Sequence, residues 1–160
     1  MGLLRVRKEL LVFLTHKIAL QVLKLMRKPN EFTYTMESLA SLPAESLGHD
    51  LYVFLMERNL ALLNHYVRHD LKHVLLGYDT TEEGEACLQS FMMGNGRISF
   101  PVIATVLYSI ITMPEYRRKM RNAYAEGKRC LPVHGWPWND LMVQPTVELR
   151  KRFRCETDKK

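Results

Sequence analysis

The 160-residue chain contains only three cysteines, Cys87, Cys130 and Cys155, and none has CxxC spacing. A disulfide framework is thereby excluded, and a reducing compartment is the simplest setting. Alternating runs of Val, Ile and Thr between turn dipeptides are absent, which argues against a strand-rich fold. No internal repeat is present either. Long apolar runs are also lacking: the longest uncharged stretch, Ile98–Pro114, has 17 residues and carries Ser99, Pro101, Thr105 and Tyr108. That sits at the lower edge of what spans a bilayer, and it reads as a buried helix of a soluble protein. The N-terminal segment has a positive start, but Lys17 interrupts its apolar stretch and no small-residue cleavage site follows, so it does not read as a secretory signal. It lacks the serines of a mitochondrial presequence, and Val6 stands where N-myristoylation wants Ser or Thr. The expected location is cytoplasmic, or peripheral at the inner face of a membrane, and not secreted.

What is present is an ordinary globular mixture, 47% hydrophobic and 25% charged, in a chain too short for two comfortable domains. The net charge of +6 is unevenly spread: residues 1–28 hold seven Lys/Arg and one acid, residues 29–114 four bases and ten acids, and residues 115–160 twelve bases and six acids. The chain is basic, acidic, basic. With no aromatic interleaving and no DNA-binding motif, nucleic acid is not an expected partner.

Apolar residues recur at helical steps nearly throughout, so the expected fold is all-α, a single compact domain over residues 1–160 with six to seven helices. Residues 1–28 read as a basic amphipathic helix with a stripe through Leu4, Leu11, Leu14, Ile18, Val22 and Leu25. It suits either an anionic membrane surface or a cover over the core. Glu31–Leu42 reads as a linker or short helix. Ser41-Leu42-Pro43 offers a helix start, continued by Leu47, Leu51, Phe54 and Leu55, with a break near Asn59. A helix from about Leu60 to Leu76 should stop at Gly77. Thr80 and Glu83 form a capping-box pattern for the next, which runs to Met93 before Gly94-Asn95-Gly96. Ile98–Thr112 follows as the buried helix, then a basic helix from Pro114 to Gly127 carrying Arg117-Arg118-Lys119-x-Arg121. A Trp-containing loop over Leu131–Pro137 leads to a last helix, capped by Asn139 and bent at Pro145.

One cluster carries chemistry: His69-Asp70-x-x-His73, then eleven residues, then Glu85. On a helix, His69 and His73 share a face one turn apart, so two imidazoles can grip one ion. Asp70 can ligate from the flank or orient a histidine. Glu85 lies about one turn into the following helix, and an antiparallel hairpin would turn its carboxylate toward the pair. Two imidazoles with one or two carboxylates and no thiol suit Zn, Fe(II) or Mn and leave positions open for water, substrate or dioxygen. Spacing alone fits two histidines on a solvated face equally well. His65 extends the stripe by a turn; His49-Asp50 repeats the dipeptide without a second His; His134 lies in the Trp loop.

The motif resembles that of the coenzyme Q (ubiquinone) biosynthesis protein 4 family. Leu42-Pro43-Ala44-Glu45-Ser46-Leu47-Gly48, Val74-Leu75-Leu76-Gly77-Tyr78, Gly84-Glu85, Gly127-Lys128-Arg129-Cys130-Leu131 and Leu149-Arg150 are similar to segments of that family, so the resemblance covers Met36 to Phe153. It implies an all-helical protein whose His69, Asp70, His73 and Glu85 bind a divalent ion and carry the catalytic role, zinc being the usual assignment and Fe or Mn the alternatives. It further implies peripheral membrane association, a polyprenylated quinone precursor as ligand, other quinone-biosynthesis proteins as partners, and metal-dependent oxidative removal of the ring carboxylate, leaving a hydroxyl. A homodimer is compatible with it. No mitochondrial targeting region matches, and the Trp136-Pro137-Trp138 loop departs from the family. Phe54, Leu55, Phe91, Met92, Met93, Phe100 and Ile103 are candidates for an isoprenoid cavity or for core. Two other readings compete: a non-catalytic lipid-binding scaffold with a structural metal, and an HD-type metal phosphohydrolase recruiting His49 and Asp140.

Overall fold

The computed structural model describes residues 32–154, and the helix expected over residues 1–28 lies outside them, as does Cys155. Among the described residues there are eight α-helices and no strand: α1 (Met36–Ala40), α2 (Leu47–Glu57), α3 (Val67–Leu76), α4 (Glu82–Gly94), α5 (Phe100–Thr112), α6 (Arg117–Gly127), α7 (Trp138–Leu141) and α8 (Thr146–Arg154). A 3-10 turn at Pro114–Tyr116 joins α5 to α6. The all-α expectation holds, with more and shorter helices than the apolar spacing suggested.

The differences have local causes. Ser46, not Ser41, caps α2, accepting from the His49 amide; Glu45 takes a left-handed conformation (φ 64°) and closes a turn at Pro43 instead. Asn59 at φ 52° ends α2 as expected, but no helix resumes at Leu60. Leu60 and Leu63 find no core to cover there and stay exposed. Thr81 rather than Thr80 caps α4, so Gly84 occupies the third position and no capping box forms. The last helix splits into α7 and α8, because residues 142–146 pair with 45–48 through Leu47 N–H to Gln144 O and Gly48 N–H to Met142 O, each 2.9 Å.

One continuous core runs through Leu47, Leu51 and Leu55 of α2, Leu71 and Leu75 of α3, Leu88 and Phe91 of α4, and Leu149 and Phe153 of α8. Phe91 packs on Phe153 at 5.6 Å, and Trp136 meets Phe153 edge-on at 5.7 Å, which gives the unusual tryptophan loop a packing role. Helices α4 and α6 cross at glycine: a β-carbon on Gly94 would strike the Tyr124 carbonyl, and one on Gly127 the Phe91 carbonyl. Beside that crossing, buried Asn95 donates to the carbonyls of Gly127, Cys130 and Leu131 (3.0–3.2 Å) and accepts from Val133 N–H at 2.9 Å. Its side chain thus does for the 127–133 connection what a strand would do elsewhere.

Helix α5 is the main departure. Only Val102, Val106 and Ser109 are buried, so the helix expected to be enclosed lies on the surface. No helix among the described residues is long and apolar enough to cross a membrane. The role of Asn95 gives a direct test. Asn95→Ala leaves a buried N–H and several carbonyls without their partner and should lower unfolding free energy by about 3 kcal/mol in a denaturant titration. A loss below about 1 kcal/mol would contradict this account of the connection.

Candidate metal centre

The centre is built where α3 turns into α4. His69 and His73 project from α3 one turn apart, with ring centroids 4.7 Å from each other. Gly77 ends the helix in the left-handed conformation at φ 73°, its N–H bonded to His73 O at 2.8 Å. The turn that follows brings the Tyr78 carbonyl to 2.9 Å from His73 Nδ1. Asp79 then accepts from the amide and hydroxyl of Thr81, and the Thr81 hydroxyl caps α4 by accepting from Gly84 N–H at 3.1 Å. A β-carbon at Gly84 would collide with the Asp79 main chain, so this tight return needs glycine immediately before Glu85. From the other side, Arg150 of α8 donates to the last carbonyls of α3, Val74 O at 2.7 Å and Leu75 O at 2.9 Å. A cation there satisfies orphan carbonyls and complements the helix dipole.

Glu85 is 4% exposed and sits in the first turn of α4, where the helix dipole favours a carboxylate. One oxygen lies 3.1 Å from His73 Nε2 and the other 3.3 Å from His69 Nε2. Ligands 2.0–2.1 Å from a tetrahedral ion are separated from each other by roughly 3.3 Å, so these two spacings are compatible with coordination of one ion, as they are with hydrogen bonds. The donor chemistry agrees. His73 gives its Nδ1 proton to the Tyr78 carbonyl, which leaves a lone pair on Nε2 facing the Glu85 carboxylate. Two acceptors at that distance repel unless a proton or a metal ion lies between them. His69 Nδ1 and Glu85 Oε2 are buried with no hydrogen-bond partner. One ligand atom from each of His69, His73 and Glu85 lies within 4.8 Å of the other two, so this group could hold a metal ion.

Asp70 stands beside this group, its carboxylate 3.7 Å from His69 Nδ1, the nitrogen turned away from Glu85. At that distance the carboxylate makes an electrostatic contact with the ring edge that does not face Glu85, too long for a hydrogen bond. His49 and Asp140, which a phosphohydrolase would recruit, do not join the group, and His134 is exposed in its loop. A cavity of about 90 Å³ opens against His69, lined among others by His65, Tyr66, Arg68, Lys72, Gln89 and Met92, with Pro101 and Thr105 of α5 on its far wall. Gln89, one turn beyond Glu85, sets its amide 3.4 Å from His69 Nε2. Of the residues considered for an isoprenoid cavity, Leu55 and Phe91 are core, Met92 lines this space, and Phe100 and Ile103 face outward.

Residues 62–158, more than half of the chain, match the family described as coenzyme Q (ubiquinone) biosynthesis protein Coq4. The chain belongs to the Coq4 family. The match begins later than the Met36–Phe153 region of resemblance but contains the whole His69-to-Glu85 motif. A crystal structure of a Nostoc punctiforme PCC 73102 protein, named for ubiquinone biosynthesis, shares the fold: TM-score 0.60 at 20% identity, covering 96% of this chain and 81% of that one. No curated protein sequence matches.

Asp79, Gln89, Asn95 and Arg150 act around the centre or its supports without having stood out as chemistry. Only Asp79 had a local signal, an acidic residue two positions before a threonine cap.

The electrostatics give a signed prediction. Burial disfavours the His69 imidazolium, but the Glu85 charge and contacts with Asp70 and Glu85 outweigh it and hold its pKa up at about 9, against an ordinary 6.5. Burial likewise raises Glu85, and the two imidazoles outweigh it, so its pKa falls well below the ordinary 4.5. The His69 contribution is full below pH 6.5 and is lost as pH rises through 9, while that of Glu85 is present above 4.5 and is lost on acidification. Chelator-treated protein should therefore show a falling Tm from pH 6.5 to 9. A divalent ion held by this group would take the place of the His69 proton, so its binding should tighten over the same range and release protons. A Tm that rises with pH in chelator would contradict the arrangement.

Proposed function

We propose that this Coq4-family chain is a metalloprotein of quinone biosynthesis in which His69, His73 and Glu85 hold one divalent ion and Asp70 orients His69. The observation that carries this is the buried carboxylate facing two imidazole nitrogens at 3.1 and 3.3 Å. The ligand is a polyprenylated precursor whose ring carboxylate enters the cavity against His69. Arg68 and Lys72 on the cavity wall give that carboxylate a cationic setting, and Gln89 offers an amide beside the ion's position. Burial and the nearby carboxylates hold the Tyr66 phenol well above its ordinary value, so it stays protonated beside His69. When bound, the ion supplies Lewis-acid or redox chemistry at the ring. The reaction breaks the ring C–COO bond with loss of carbon dioxide and forms a C–OH bond at the same carbon, dioxygen supplying that oxygen atom and an external two-electron donor reducing the other to water, at a membrane surface and among other quinone-biosynthesis proteins.

A scaffold reading is favoured by one specific observation. Glu85 and His73 are almost wholly buried, at 4% and 2% exposure, where an ion also locks α3 to α4. Metal identity separates the two. Zinc performs no redox chemistry and fits a structural ion, whereas Fe or Mn on two histidines and a carboxylate fits dioxygen chemistry.

His73→Ala in the organism that carries this chain tests the catalytic reading, with soluble protein level checked alongside. The expected outcome is an accumulated, carboxylated polyprenyl precursor and a fall in quinone of roughly tenfold or more, as for loss of one ligand's function. Normal quinone levels would sink the catalytic reading. Lost partner association without precursor accumulation would favour the scaffold.

A further inference from the structure

Gln89 belongs to α4 but not to the three-donor group of His69, His73 and Glu85. It stands one turn beyond Glu85, so both side chains leave α4 on the face turned toward α3. Its amide nitrogen lies 3.4 Å from His69 Nε2. The same imidazole nitrogen is 3.3 Å from Glu85 Oε2. His69 Nε2 is therefore approached by a carboxylate and an amide, both supplied by α4. The two differ in their access to solvent. Glu85 is enclosed, whereas Gln89 is half-buried and lines the cavity that opens against His69. His73 and Glu85 do not line that cavity.

We propose that Gln89 is a fourth, exchangeable metal ligand, whose amide oxygen closes the shell on the cavity side until a carboxylate arriving through the cavity displaces it. Three protein donors leave one position of a tetrahedral shell open. On the cavity wall, Arg68, Lys72 and Arg97 have no acceptor atom and repel a cation, while Gln89 offers a neutral carbonyl oxygen. Its distance also fits. An atom 3.4 Å from His69 Nε2 is about as far from it as a second ligand of one tetrahedral ion, roughly 3.3 Å. The two ends of the amide are nearly the same shape, and half a turn about the last side-chain bond exchanges them. Without an ion, the NH2 end can donate to a lone pair on His69 Nε2. With an ion held there, that lone pair is taken, and the oxygen end suits the place.

The neutrality of Gln89 is what makes the position exchangeable. The single carboxylate of Glu85 leaves a divalent ion with net positive charge, and an amide oxygen removes none of it. A carboxylate that takes the amide's place gains a charge interaction the amide lacks. Arg68 and Lys72 on the wall favour the same anion. The exchange is donor for donor: one oxygen leaves the shell as another enters, no covalent bond breaks and no electron is transferred. A glutamate at this position would instead fill the shell permanently and repel the incoming anion. The cavity, about 90 Å³, admits a carboxylate head and little more. This inference rests on the metal reading of the proposed function and adds to it the residue that yields to the ligand.

Cobalt(II) is the probe ion, because its visible absorption reports its ligands and their number, and benzoate is the probe carboxylate. The full wild-type chain should bind cobalt(II), and benzoate should change the absorption. Gln89→Ala should weaken cobalt(II) by roughly tenfold in competition with a chelator. It should also alter the spectrum of the ion alone and respond to benzoate at lower concentration, since no amide has to leave. Gln89→Glu should bind cobalt(II) more tightly and lose the benzoate response. Gln89 is half-buried, so helical circular dichroism should match across the three proteins. Gln89→Ala with the wild-type cobalt spectrum, or Gln89→Glu that still responds to benzoate, would overturn the proposal and leave the three-donor centre standing. Wild type that binds no cobalt(II) would overturn both.

Discussion

The structure turns on one buried charge. The Glu85 carboxylate is held out of water at the start of α4, facing two imidazole nitrogens of α3. An isolated carboxylate so placed costs several kcal/mol, and a single protein cation repays it only with good geometry. Much of the surrounding chain is arranged to supply that geometry. The Tyr78 carbonyl fixes the His73 tautomer, Asp70 stands behind His69, the Thr81 hydroxyl caps α4, and Gly84 leaves room for the Asp79 main chain. Arg150 ties the end of α3 to α8. The ion pair is therefore more than a contact between two helices; it sets the phase of α4 relative to α3.

That constraint separates the two sides of the molecule. Behind the centre, α4 packs on α6 through Gly94 and Gly127, and Asn95 fastens the loop beyond. On this side the Asn95 amide has main-chain partners for both its donor and its acceptor. In front of it, the cavity against His69 is bounded by α5, which is packed on one face only. The donor atoms of His69, His73 and Glu85 thus lie between the packed α4–α6 side and the cavity bounded by α5. Such a division suits a site that must hold its donors fixed while admitting something large.

The sequence made the centre legible because its geometry is local. Histidines four apart on one helix and a carboxylate just past a five-residue turn can be placed from helical pitch and a hairpin. Their surroundings made the family resemblance specific. The supports were not legible for the opposite reason. Asn95 and Arg150 act on carbonyls more than thirty and more than seventy residues away, and nothing in their own neighbourhoods announces it. Helix boundaries slipped where tertiary pairing overrode capping signals, as when residues 45–48 paired with 142–146 and split the last helix. The uncharged run of α5 reads as interior because composition alone does not tell a buried helix from one with an exposed apolar face.

The central claim is that His69, His73 and Glu85 form one coordination shell. Native mass spectrometry of the full chain, purified without chelator and combined with elemental analysis, tests it most directly against Glu85→Gln, which keeps the side-chain shape and removes the charge. The account predicts one divalent ion per wild-type chain and none on the variant. Wild type that binds no divalent ion, or a variant that binds it undiminished, would contradict it.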